Sequence, residues 1–186
     1  MSGLNIVIVA PSGTGKSSLI KRVMEKYPQI EWSVSCTTRP IREGEIHGKD
    51  YFFLTKEEFE ANLDDGRFIE WAKVHSNYYG TSKKFAEEGL KEGRKLLYDL
   101  DVQGADQMKE IFKEKAQVIF IEPPSVETLE RRLKGRGTDS ADVINERLSN
   151  AKRELLRKND YDYLVKNDDF EQAVNDLIKV FGEILG

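Results

Sequence analysis

Eight residues near the N-terminus combine types and spacing that suit phosphate chemistry. Ala10-Pro11-Ser12-Gly13-Thr14-Gly15-Lys16-Ser17 follows the β-branched run Ile6-Val7-Ile8-Val9 and leads into a helical pattern, Ser17-Ser18-Leu19-Ile20-Lys21-Arg22-Val23-Met24. A phosphate needs many N–H donors and positive charge around it. Glycines let backbone amides turn inward, and a helix N-terminus adds its dipole. The segment Gly13, Thr14, Gly15, Lys16, Ser17 and Ser18 predicts such a cradle. Lys16 supplies a point charge for the β- and γ-phosphates of a nucleotide, and the Ser17 hydroxyl can ligate Mg²⁺. One departure stands out: Ala10 occupies the position where the first glycine is usual. A positive φ there would cost alanine about 1–2 kcal/mol.

The loop does not by itself name a reaction, because GTPases, ATPases and kinases share it. Asp101-Val102-Gln103-Gly104 matches the short Asp-x-x-Gly pattern of GTPases, a weak signal. An Asn-Lys-x-Asp segment to read guanine late in the chain is absent.

The elements that must position these residues alternate. Ile6–Val9 reads as a buried parallel strand, and Pro28 stops the helix after it. Apolar or β-rich runs recur at Lys95–Asp99, Val118–Ile121 and Tyr163–Val165, with helical patterns between them at Asp106–Phe112 and Val126–Leu133. Ile144, Leu148, Ala151 and Leu155 recur at helical spacing, and Asp169 with Gln172 three residues on resembles a capping box. Such alternation predicts an α/β fold, a parallel sheet with helices on both faces. Ser33 to Thr81 interrupts it with the short β-like runs Trp32-Ser33-Val34-Ser35, Tyr51-Phe52-Phe53 and Phe68-Ile69-Glu70-Trp71. One helix, opened by Thr55 with Glu58 at its third position, lies among them. This predicts an antiparallel insertion. Gly135 to Asp142 reads as a mobile loop.

With 186 residues the chain predicts one domain with sub-lobes. Its 39% hydrophobic and 33% charged residues read as globular and soluble. A net charge of −4 argues against a general binder of nucleic acid or membrane surfaces. No apolar run approaches the roughly 20 residues that span a bilayer. Met1-Ser2-Gly3-Leu4-Asn5 has no charged n-region, so no signal peptide is expected and a cytoplasmic location is the default. Cys36 is the only cysteine, which suits a reducing compartment. It is expected to pack rather than react. His47 and His75 have no ligand-like spacing, so no zinc site is expected.

From Ser35 onward the motifs resemble the guanylate kinase family. They are Ser35-Cys36-Thr37-Thr38-Arg39-Pro40, Arg42-Glu43-Gly44-Glu45, Gly48-Lys49-Asp50-Tyr51, Phe68-Ile69-Glu70-Trp71 and Asn77-Tyr78-Tyr79-Gly80. Asp99-Leu100-Asp101, Gln103-Gly104, Pro123-Pro124-Ser125, Arg132-Leu133, Gly135-Arg136-Gly137 and Asn167-Asp168 follow in the same order. The resemblance runs from about residue 4 to the C-terminus. It implies a P-loop three-layer αβα core at 1–34, 82–134 and 148–186, a GMP-binding lobe at 35–81 and a small helical lid at 135–147. It also implies transfer of the γ-phosphoryl group of ATP to GMP, and to dGMP, with Mg²⁺. By that resemblance Arg39, Arg42, Tyr51 and Tyr79 hold the GMP phosphate, and Ser35, Glu70, Thr81 and Asp99 read guanine. Gly13 to Ser18 hold the ATP phosphates, and Asn167 and Asp168 lie near the adenine. Lys16, Arg42, Arg136 and Arg147 act on the transferring group. ATP and GMP are the implied partners, with no nucleic acid, membrane or obligate protein.

The residue types suit that chemistry. Two polyanions repel, and arginine answers with a permanent, planar, bidentate charge. Phosphoryl transfer needs in-line placement and charge stabilisation, so no general base is required. Guanine offers N1–H and N2–H₂ on one edge, and a single carboxylate, Glu70, accepts from both. Adenine lacks that pair and would leave a buried Glu70 unsatisfied, enough for discrimination of about 10⁴-fold. The alternative is a guanylate-kinase-like module that binds phosphopeptides without catalysis. Lys16, Ser17, Arg136 and Arg147 argue against it.

Overall fold

A computed structural model describes residues 3–74, 76–135 and 140–186. Strand β1 (Leu4–Val9) is buried along nearly its whole length, as its unbroken apolar run requires. Helix α1 (Lys16–Lys26) buries Leu19, Ile20 and Val23 and ends at Tyr27, just before Pro28. Strands β2 (Ile30–Trp32), β3 (Cys36–Thr37) and β4 (Phe52–Phe53) follow. Helix α2 (Lys56–Asp64) opens on the expected capping box, with Thr55 and Glu58 each satisfying the other's backbone N–H. Next come β5 (Phe68–Val74), β6 (Asn77–Ser82), α3 (Lys83–Lys91), β7 (Lys95–Leu100), α4 (Val102–Phe112) and β8 (Ala116–Glu122). The chain closes with α5 (Val126–Gly135), α6 (Ala141–Leu155), β9 (Tyr163–Lys166) and α7 (Phe170–Leu185).

Five strands form one sheet in the order β2-β7-β1-β8-β9, and β2 with β7 and β8 with β9 pair in parallel. Four strands form a second sheet, β4-β3-β6-β5, in which β6 runs antiparallel to both neighbours while β3 and β4 pair in parallel. The fold is therefore an α/β core with a parallel sheet, carrying a mostly antiparallel insertion.

The chain forms two compact units. One comprises Met1–Val7 with Gln29–Ala116, the other Ile8–Pro28 with Gln117–Gly186. In the second, α7 buries Ala173, Val174, Leu177 and Phe181 at helical spacing. Tyr27 stacks on Phe181 with centroids 5.8 Å apart and donates its hydroxyl to the Ile178 carbonyl at 2.9 Å.

Several boundaries differ from the sequence expectation, each for a local reason. Helix α4 starts at Val102 rather than near Asp106, because Asp101 caps it: Asp101 Oδ1 accepts from the Gly104 N–H at 2.9 Å. The Asp-x-x-Gly pattern is thus a helix cap. Trp32 ends β2 in the parallel sheet, while Ser33 to Ser35 form no strand. Asp142, expected in a loop, lies in the first turn of α6, which Ser140 caps. The capping box expected at Asp169 is only half formed: Asp169 accepts from Gln172 N–H, but the Gln172 amide turns to Asp176. Among the described residues no helix is long and apolar enough to cross a membrane.

Candidate functional site

The phosphate loop belongs to the second unit. Gly13 (φ 89°) and Gly15 (φ 96°) both adopt the left-handed conformation that glycine tolerates without strain. Ala10 does not: Lys113 is the only non-glycine with positive φ among the described residues. The alanine in the usual glycine position is therefore unstrained. Helix α1 has Gly15 at its cap, with no side-chain cap and no acidic residue in its first turn. That end keeps its positive character for an anion. Lys16 opens the helix, and Ser17 and Ser18 follow, exposed.

The loop is braced from behind. Thr14 is buried and donates its hydroxyl to the Pro11 carbonyl at 2.7 Å. Its own carbonyl accepts from Asn167 Nδ2 at 2.7 Å and from Arg132 Nη1 at 2.9 Å. Asn167 is itself buried, with its backbone N–H on the Glu122 carbonyl at 2.8 Å. Its amide nitrogen would stand 3.1 Å from a Cβ on Gly15. The family resemblance implies a place for Asn167 near an adenine; the contact its side chain makes is to the loop backbone. Sequence pattern assigns Arg132 no role, and only its tertiary contact to the loop carbonyls reveals one. Asp168 is exposed and pairs with Lys166 at 2.5 Å. Arg147 lies half-buried on α6. Arg136 falls outside the described residues.

The remaining candidates belong to the first unit. Glu70, on β5, is 4% exposed and lies opposite Thr81 on β6 in the strand register. Thr81 is also buried. Its hydroxyl makes no well-formed hydrogen bond among the described residues, yet lies close enough to steady the Glu70 charge. Burial pushes the Glu70 carboxyl up to about 7, Thr81 opposes the shift, and the Asp101 charge adds to it. Strand β5 is an edge of its sheet, and Gln107 of α4 covers that edge. The Gln107 amide accepts from the Trp71 N–H at 3.3 Å and donates to the Trp71 carbonyl at 2.9 Å.

A second cluster surrounds Arg39. Its guanidinium bonds Glu45 Oε1 at 2.6 Å and lies over the rings of Tyr51 and Phe53, 5.5 and 5.6 Å from their centroids. Tyr51 and Tyr79 meet edge to face at 6.1 Å. Burial first, then the Asp99 charge, keeps the Tyr51 hydroxyl protonated well above its ordinary range. Arg42 is exposed, and its backbone N–H donates to Glu45 Oε2 at 2.8 Å. Glu45 therefore ties Arg39 and Arg42 together. Burial works against its charge, but Arg39 and the Arg42 N–H hold it below the usual carboxylate range. Glu45 belongs to the Arg42-Glu43-Gly44-Glu45 motif, whose spacing carries no signal of this role. Ser35 is buried, and its carbonyl accepts from the Phe52 N–H at 2.9 Å. Cys36 is half-buried, and burial pushes its thiol up to about 11, which leaves little thiolate at neutral pH.

A glycine-rich loop between a buried strand and an uncapped helix, in a parallel α/β sheet, defines a P-loop nucleotide-binding protein. Comparison with known proteins narrows the class. The family described as guanylate kinase matches residues 2–183. A guanylate kinase of Synechocystis sp. is 45% identical over 183 residues, covering 98% of this chain and 95% of its own. One from Idiomarina loihiensis is 49% identical over 173 residues, covering 92% and 82%. The crystal structure of guanylate kinase from Anaplasma phagocytophilum superposes with a TM-score of 0.80 at 35% identity, covering 98% of this chain and 86% of that one. The chain belongs to the guanylate kinase family, and it is an ATP:GMP phosphotransferase.

Proposed function

We propose that the chain transfers the γ-phosphoryl group of ATP to GMP, and to dGMP, by direct in-line displacement. An oxygen of the GMP phosphate forms the new bond to the γ-phosphorus. The bond from that phosphorus to the β,γ-bridging oxygen breaks, and ADP leaves with the electron pair. The acceptor oxygen is already anionic, so no general base is assigned. Lys16 and the amides of Gly13 to Ser18 hold the ATP phosphates, with Asn167 and Asp168 toward the nucleoside. Arg39, Arg42, Tyr51 and Tyr79 hold the GMP phosphate. Ser35, Glu70, Thr81 and Asp99 read guanine. Arg42, Arg136 and Arg147 join Lys16 in neutralising the transferring group.

The donor set fits Mg²⁺. No group of three His, Cys, Asp or Glu among the described residues could cage a metal, whereas the exposed Ser17 offers one oxygen beside the phosphate cradle. A hard cation that keeps waters and phosphate oxygens suits such a site. When bound it supplies charge neutralisation at the β- and γ-phosphates. We assign 1–34, 82–134 and 148–186 to the core, 35–81 to the GMP-binding lobe and 135–147 to the lid, of which 136–139 lie outside the described residues. A cytoplasmic location accords with this substrate pair.

The observation that carries the reading is Glu70: a carboxylate 4% exposed, facing a buried threonine rather than an arginine or lysine. Such a group is expensive to bury unless a ligand supplies donors. The test is ADP release from ATP and Mg²⁺ with GMP, dGMP, AMP, CMP or UMP. Release is expected with GMP and dGMP only, lost in Lys16→Ala or with a chelator, and cut at least 100-fold in Glu70→Gln. Equal release with AMP would remove Glu70 as the reader.

A further inference from the structure

Gly104 lacks a side chain where one would favour the helix. It lies buried in the first turn of α4, and its φ is not positive, so its conformation does not require glycine. Alanine is the better helix former. The reason for glycine lies across the packing. A Cβ at position 104 would stand 2.5 Å from Glu70 Oε2 and 3.2 Å from the Glu70 carboxyl carbon. Leu100 Cβ, at 3.4 Å, is in ordinary contact range.

The collision falls on the far end of the Glu70 side chain, so the carboxylate is the group that yields; being buried, it shifts within the packing around it. The two bonds of the Gln107 amide to Trp71 tie the strand to the helix. The start of α4 is pinned as well, because Asp101 holds the Gly104 N–H.

We propose that Gly104 is a positioning residue for purine specificity: its missing side chain is the space that seats the Glu70 carboxylate. This rests on Glu70 as the guanine reader. A methyl group at 104 pushes the carboxylate off the line of the two guanine donors. The phosphate-holding cluster around Arg39 is untouched, so the loss falls on base recognition.

The experiment compares Gly104→Ala, Glu70→Gln and the double variant Glu70→Asp/Gly104→Ala, with kcat and KM measured separately for GMP and for IMP, which lacks the N2 amine. Gly104→Ala is expected to raise the KM for GMP at least 10-fold and bring GMP and IMP toward parity, with the KM for ATP unchanged. The shorter Asp is expected to restore part of the GMP preference. If Glu70→Gln loses the preference while Gly104→Ala keeps the GMP KM within twofold, the proposal fails and the reader stands. If Glu70→Gln keeps the preference, both fall. Should Gly104→Ala not fold, thermal unfolding in a Glu70→Ala background decides. With the carboxylate gone, alanine at 104 is expected to raise Tm, and a lower Tm there would overturn the proposal.

Discussion

Burial and the nearby Asp101 charge keep a proton on Glu70 to about pH 7, against an ordinary 4.5. Below pH 4.5 both folded and unfolded chains hold that proton. Between 4.5 and 7 only the folded chain does, so its stability falls as pH rises through that window and levels off above it. The contribution is at most about 3 kcal/mol. Glu70→Gln removes the titration. Denaturant unfolding should find the variant equal to the parent near pH 3.5 and more stable by up to that amount at pH 8; equal stability at both values would count against the buried charge. The strain has a use. In the proposed role, a guanine edge would supply the two donors that favour the ionised form, and the site would trade folding stability for discrimination.

At the scale of elements, the phosphate loop depends on residues far from it in sequence. Its backbone turns on Gly13 and Gly15, but Asn167 and Arg132, from β9's exit and α5, anchor the Thr14 carbonyl. Losing one buried hydrogen bond costs about 1 kcal/mol. Asn167→Ala is therefore expected to raise the KM for ATP about 5-fold and leave the KM for GMP unchanged. A second donor with a different base separates brace from base contact. A brace raises both donor KM values by the same factor; a contact to adenine raises that for ATP alone. The same logic explains α4, whose start is set by the Asp101 cap rather than by its apolar periodicity.

At the scale of the whole molecule, each compact unit carries its own set of candidate residues. The Glu70 and Arg39 clusters lie in the unit of Gln29–Ala116, and the phosphate loop lies with Asn167 and Arg147 in the other. The assignment of 35–81 to GMP binding makes a regional prediction for hydrogen exchange. At GMP about 100-fold above its Kd, amides in 35–81 whose opening abolishes binding should exchange about 100-fold more slowly. Those of α7 should change little. Protection by GMP confined to the phosphate loop would reverse the assignment.

The sequence by itself determined the phosphate loop, because its glycines, lysine and serine act through local backbone geometry between a strand and a helix. It also determined the family, since many short motifs recur in order, and the Thr55 cap, which spans three residues. Tertiary structure alone decided what those motifs touch. Nothing in the spacing of Glu70 and Gly104, 34 positions apart, says that one fills the space the other leaves empty. Nor does spacing reveal that Glu45 ties Arg39 to Arg42, or that Asn167 holds the Thr14 carbonyl across 153 positions. Local conformation is set by steric and hydrogen-bonding choices within a few residues, so it is legible along the chain. Side-chain contacts and the burial that shifts Glu70 arise only when distant elements close around one another.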